Sequence, residues 1–110
     1  MELVSTPLFE ASARRLLTEE DRRDLEVFLA TDPSRGALIP RTGGLRKVRF
    51  SRGSRSEGTR GGMRVIYYFV QRRSCIYLID VYSKRSKENL TRAEENGLRA
   101  VARALRGEGQ

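Results

Sequence analysis

The chain has 110 residues, one cysteine, no histidine and a net charge of +8, which fits one small domain over residues 1–110 with a single modest core. These numbers exclude an intrachain disulfide, leave a metal site without the partners it needs, and remove every Ser–His or Cys–His nucleophile. No apolar run is long enough to span a membrane and the N-terminus lacks the basic-then-apolar layout of a secretion signal, so a reducing, cytoplasmic setting is expected.

Residues 2–6 read as a short first strand. Thr6 followed by Pro7 reads as a helix start, because proline suits the first helical position; this helix carries Leu8, Phe9, Leu16 and Leu17. A second start follows at Thr18, whose hydroxyl can cap free amides while Glu19, Glu20 and Asp21 sit at the positive end of the helix dipole. Leu25, Phe28 and Leu29 then give one apolar stripe, and Asp32-Pro33-Ser34-Arg35-Gly36 ends the helix. Residues 7–31 are thus expected to form two helices on one face of a sheet. Residues 37–40 read as a short extended piece, and Thr42-Gly43-Gly44 as a turn.

Three β-type runs rich in Val, Ile, Tyr and Phe come next. In residues 44–50, Leu45, Lys47 and Arg49 share one face and Arg46, Val48 and Phe50 the other. Both faces mix apolar and basic residues, so alternation leaves the core face open. Residues 51–62 hold four glycines with Arg52, Arg55 and Arg60 between them, and read as a loop. The run Met63–Val70 is apolar at nearly every position, as in a central strand covered on both sides; Arg64 is its odd member. Residues 71–74 turn the chain, and residues 75–82 return as a second central strand. A hairpin centred near Arg72 pairs position i with about 144 − i, which sets Tyr82 near Gly62 and Arg64. Cys75, inside the apolar run, reads as a packed strand residue. Thr91-Arg92-Ala93-Glu94 is a capping box; Leu98, Val101, Ala102 and Leu105 mark a helix that Gly107 ends.

The charge is concentrated. Residues 1–40 hold five basic and eight acidic side chains, whereas residues 41–73 hold ten basic ones and a single acid, Glu57. A field of that sign attracts polyanions. Lys47 and Arg49 on one strand, Arg64 at the start of the next and Tyr82 with Lys84 at the end of the third would gather cations around one phenol. Such a cluster can bind a phosphodiester and stabilise the extra charge of a pentacoordinate transition state. With no histidine, proton transfer near pH 7 falls to Lys, Tyr, Arg or a shifted carboxylate.

Thr42-Gly43-Gly44-Leu45-Arg46-Lys47-Val48-Arg49, Arg60-Gly61-Gly62-Met63-Arg64-Val65-Ile66-Tyr67-Tyr68-Phe69, Ile76-Tyr77-Leu78-Ile79-Asp80-Val81-Tyr82-Ser83-Lys84 and Leu90-Thr91 together resemble the RelE/HigB family. Those proteins are the ribosome-dependent messenger-RNA endonucleases of bacterial type II toxin–antitoxin pairs, and the pattern looks most like the HigB subgroup. The resemblance implies an α+β fold, a twisted antiparallel sheet with two N-terminal helices and a C-terminal helix. It implies metal-independent cleavage of messenger RNA in the ribosomal A site, with the substrate's own 2′-hydroxyl attacking the adjacent phosphate and no cofactor. Arg64 would stabilise the phosphorane; Lys84, Tyr82 and Lys47 are candidates for general acid, general base or charge stabilisation. Arg46, Arg49, Arg55, Arg60 and Arg85 would hold messenger or ribosomal RNA. The partners implied are a cognate antitoxin, often of helix-turn-helix type, the ribosome, and operator DNA through the antitoxin complex.

Two other readings compete. A ParE-like gyrase poison of the same fold has no need of converging cations at a strand edge. A non-catalytic RNA- or DNA-binding module explains the charge, but a stacking platform needs exposed aromatics, and Tyr67, Tyr68 and Phe69 occupy a strand that reads as buried.

Overall fold

The computed structural model of the protein describes residues 1–51, 62–83 and 90–108. Chain order is β1 (Glu2–Ser5), α1 (Pro7–Leu16), α2 (Glu19–Thr31), β2 (Ala37–Leu38), β3 (Arg46–Phe50), β4 (Met63–Val70), a 3-10 turn (Gln71–Arg73), β5 (Cys75–Ser83) and α3 (Arg92–Glu108). The strands form one sheet in the order β1-β5-β4-β3-β2. The β2–β3, β3–β4 and β4–β5 pairs are antiparallel, and β1 lies parallel to β5.

The helix starts follow the chemistry read from the sequence. Thr6 caps α1, its Oγ1 accepting from Phe9 N at 3.2 Å, with Pro7 in the first turn. Thr18 and Asp21 form a reciprocal capping box at α2, as Thr91 and Glu94 do ahead of α3. Each such cap satisfies amides that would otherwise lack a partner and is worth about 1 kcal/mol. α3 runs on through Gly107 to Glu108, past the expected stop.

Both sheet faces are covered, which is why alternation along β3 could not pick one. Phe9, Ala13, Leu25 and Leu29 from the α1–α2 pair pack on Phe50, Met63, Val65, Tyr67, Ile76, Leu78 and Val81. On the other face Leu98 and Ala102 of α3 pack on Leu45, Ile66, Tyr68, Cys75, Tyr77, Ile79 and Tyr82. The apolar runs of β4 and β5 are therefore buried from two sides, each aliphatic side chain contributing about 1.5–3 kcal/mol. Two residues of the helical stripes stay outside: Leu8 and Val101 are exposed.

The turn before β3 is fixed by polar groups. Buried Thr42 donates from Oγ1 to Ile39 O at 2.7 Å and accepts from Leu45 N. Gly44 has φ +121°, a conformation that side chains resist, and a Cβ there would press on the Tyr68 ring. Arg106 Nη1 donates to Gly43 O at 2.6 Å, tying the last turns of α3 to this bend. The hairpin closes through Ser74 in the left-handed region. No helix among the described residues is long and apolar enough to cross a membrane.

Candidate active site

The register brings three of the predicted residues onto one rung. Arg49 of β3 is opposite Arg64 of β4, and Arg64 is opposite Tyr82 of β5. Directly opposed residues share a face, and Tyr82 packs with the α3-side cluster, so this rung lies on the α3 face. Their Cα atoms span about 10 Å across three strands spaced ~4.8 Å apart. Lys47 lies on the same face two residues back along β3, opposite Ile66, about 7 Å from Arg49.

α3 covers this face only in part. Its C-terminal Leu105 and Arg106 stand beside Tyr68, Val70 and Gln71, and its first turn, at Glu95, stands with Lys47, Ile39, Pro40 and Leu90 around a shallow depression. The Arg49–Arg64–Tyr82 rung is the next same-face step along the strands from Lys47 and Ile66. Arg49 is exposed, Lys47 and Arg64 are half-buried, and Tyr82 is buried.

The electrostatics of this rung are unfavourable to the protein alone. Arg49 and Arg64 are like charges directly across a ladder, which destabilises the pair. Among the described residues, none of Lys47, Arg49 and Arg64 has a carboxylate within salt-bridge distance; the ion pairs are Arg22–Glu10 and Arg41–Glu95. Arg64 Nη1 is buried and has no hydrogen-bond partner. An unmet guanidinium donor in that setting costs about 1–3 kcal/mol. An anion with several acceptor oxygens would remove both penalties, and a phosphodiester is such an anion.

Arg46, read from the sequence as an RNA contact, lies on the opposite face from Lys47 and Arg49, paired with Tyr67. Its Nη1 donates to Ser34 O at 3.1 Å and Gly36 O at 2.7 Å. Tyr67 reaches the same loop: its hydroxyl donates to Pro33 O at 2.8 Å and accepts from Gly36 N at 2.9 Å. Together they fasten the α2–β2 connection, a structural task that nothing in the sequence pattern separated from RNA binding. Lys84, Arg55, Arg60 and Arg85 lie outside the described residues. Cys75 is buried, and burial pushes its thiol pKa up, which keeps it an inert packed residue. Among the described residues no group of three or more His, Cys, Asp or Glu side chains is placed to hold a metal ion.

No family model matches the chain. Solved structures do. The E. coli toxin RelE, as an arginine-to-alanine double mutant in the free state, superimposes with a TM-score of 0.54 at 19% identity over 79% of this chain and 86% of that one. The chain has the RelE toxin fold. The intact E. coli RelBE toxin–antitoxin complex gives a TM-score of 0.53 at 18% identity, covering 74% of this chain and 94% of that one. The RelE mutant bound to a peptide of its antitoxin RelB gives 0.52 at 19% identity, covering 83% and 95%. The RelE fold accounts for the α+β class expected above, with the N-terminal helices on one face and α3 on the other.

Proposed function

We propose that this chain is the toxin of a type II toxin–antitoxin pair and a ribosome-dependent messenger-RNA endonuclease, of the HigB-like pattern its motifs suggest. The observation that carries this reading is the Arg49–Arg64–Tyr82 rung, with the Arg64 Nη1 donor buried and unpartnered. The RelE fold supports it, and so does the concentration of positive charge on β3, β4 and their connections.

In this mechanism the scissile phosphate lies over Arg64, between Arg49 and Tyr82. The substrate's 2′-hydroxyl attacks that phosphate, and the oxygens on the five-coordinate phosphorus take the hydrogen bond that Arg64 Nη1 otherwise lacks. The new bond joins the 2′-oxygen to phosphorus, the bond to the 5′-oxygen breaks, and a cyclic phosphate remains on the upstream fragment. Tyr82, Lys84 and Lys47 supply the proton given to the leaving oxygen and the base that accepts the one from the 2′-hydroxyl. The chain has no histidine, the side chain best suited to proton transfer near neutral pH, so most of the rate comes from positioning and charge. Positioning of that kind is what a ribosomal A site provides to a bound messenger. Exposed Arg49, with Arg55, Arg60 and Arg85, holds the RNA backbone. The antitoxin is a protein that masks this basic face, and the pair together would bind operator DNA. The place of action is the cytoplasm, and residues 1–110 act as one domain.

The test is primer extension on a defined messenger incubated with the purified protein, with and without translating ribosomes. Cuts at codon positions only with ribosomes present are expected. Cuts without ribosomes would make the protein a free ribonuclease. No cuts in either condition, with a folded and toxic protein, would overturn the nuclease reading in favour of a gyrase poison, which a DNA supercoiling assay would then detect.

A further inference from the structure

β5 carries one residue more than the ladder opposite it. Tyr67 pairs with Leu78 and Ile66 with Asp80, so Ile79 has no partner on β4. Such a bulge changes the phase of everything after it. Continued without the extra residue, the register of the Tyr67–Leu78 pair would set Val81 opposite Arg64 and Tyr82 opposite Met63. A slip of one residue sends each later side chain to the other face. Val81 would leave the α1–α2 core, where it is 1% exposed, for the arginine face. The Tyr82 phenol would go under the N-terminal helices.

Three polar side chains hold the bulge. Thr6, the cap of α1, shares its one hydroxyl proton between Leu78 O and Ile79 O, each 3.0 Å from Oγ1, and its N–H donates to Leu78 O at 3.0 Å. Asp80 Oδ1 accepts from Val81 N at 2.8 Å and from Ser12 Oγ at 2.9 Å. Ser12 is buried on α1. A carboxylate between Ile79 and Val81, both 1% exposed, is costly in a central strand unless it satisfies something. Here it takes the amide of Val81, two residues past the unpaired Ile79, and links it to the helix.

We propose that Thr6, Ser12 and Asp80 are positioning residues that lock the β5 bulge and so set Tyr82 on the Arg49–Arg64 face. The effect on cleavage rests on the endonuclease reading above; the effect on register does not. α1 thereby acquires a task beyond covering the core, since it fixes the phase of a strand whose far end carries the active phenol.

The experiment compares Asp80→Ala, Asp80→Asn and Ser12→Ala in the full chain. Asn keeps a side-chain oxygen that can accept both hydrogen bonds. Solution NMR reads the cross-strand contacts of Arg64, and single-turnover cleavage on programmed ribosomes is measured separately from ribosome affinity. Wild type and Asp80→Asn should show Arg64–Tyr82 contacts and cleave within about threefold of each other. Asp80→Ala should show Arg64–Val81 contacts in part or throughout, and cleave at least about 10²-fold more slowly at unchanged ribosome affinity, since a misplacement of only ~1 Å can already cost that much and the slip takes Tyr82 off the face. Ser12→Ala should shift both readouts the same way to a smaller extent, and it decides the matter if Asp80→Ala fails to fold. Intact Arg64–Tyr82 contacts with wild-type cleavage in the alanine variants would overturn the proposal. So would an Asp80→Asn protein as slow as Asp80→Ala with its register intact, since the charge and not the bulge would then be at work. A wild-type protein that cleaves nothing would sink the endonuclease reading, and the NMR contacts would still judge the lock.

Discussion

Replacing Arg64 by methionine should raise stability while abolishing cleavage. Arg64 Nη1 is buried without a partner, a condition that costs about 1–3 kcal/mol. The directly opposed Arg49 adds about 0.2–1 kcal/mol of like-charge repulsion. Methionine removes both terms and keeps an unbranched stem of similar reach, so the lost burial stays under about 1 kcal/mol. The net expectation is a gain of about 1–2 kcal/mol, visible as a higher urea midpoint with unchanged slope and a melting temperature raised by at least about 4 °C. Single-turnover cleavage should fall by about 10²–10³-fold or more, the usual loss when a group aimed at developing charge is removed. The opposing signs separate a functional arginine from one retained for packing. A variant less stable than wild type by more than 1 kcal/mol, or one that still cleaves at the wild-type rate, would refute the reasoning.

Association with ribosomes should weaken steeply with added salt, with a linear fall of log affinity against log salt concentration, because phosphate contacts release counterions; a flat dependence would remove the basic stretch as the contact surface. Arg46→Ala should lower stability by about 1–2 kcal/mol through its two lost carbonyl contacts, yet leave cleavage per folded molecule unchanged, whereas Arg49→Ala should do the reverse; equal losses of cleavage in the two variants would restore Arg46 to the RNA surface. Tyr67→Phe strands the Gly36 amide and should cost about 1–3 kcal/mol in chemical denaturation. Burial pushes the Tyr67 phenol above its ordinary pKa of 10.0, so the folded state holds that proton more tightly than the unfolded chain does. Its contribution is full below about pH 10 and is lost as pH rises beyond it; the alkaline fall in stability should therefore be shallower in Tyr67→Phe, and an identical fall would assign it to other groups.

Local chemistry carried most of the fold. Pro7, the Thr18 and Thr91 capping signals and the largely apolar runs of β4 and β5 each act within a few residues, so their elements were legible without knowing what packs where. Four-residue β1 was legible as extended chain, but its partner was not: parallel pairing with β5 depends on residues more than seventy positions away. Faces were harder for a related reason. In β3 the alternation separates Arg46 from Lys47 and Arg49, but with helices on both sides each face looks like a core, and only the fold shows that Arg46 serves the α2–β2 loop.

Register was the least legible quantity, and the site depends on it most. Hairpin arithmetic centred near Arg72 sets Gly62 opposite Tyr82 with Arg64 nearby, whereas the structure sets Arg64 itself there. The difference comes from two irregularities. The 3-10 turn at Gln71–Arg73 moves the hairpin centre, and the bulge at Ile79 shifts the ladder by one residue more. The sequence contained a sign of the second, an aspartate inside the apolar run Ile79-Asp80-Val81. A buried-strand carboxylate asks which amide or hydroxyl it satisfies. Here the answer is Val81 N and Ser12 Oγ, and through them the phase of the strand that carries Tyr82. A cationic face can tolerate much local variation and still attract RNA. The alignment of a phenol with a buried arginine donor cannot, because one residue of slip removes it from the face altogether.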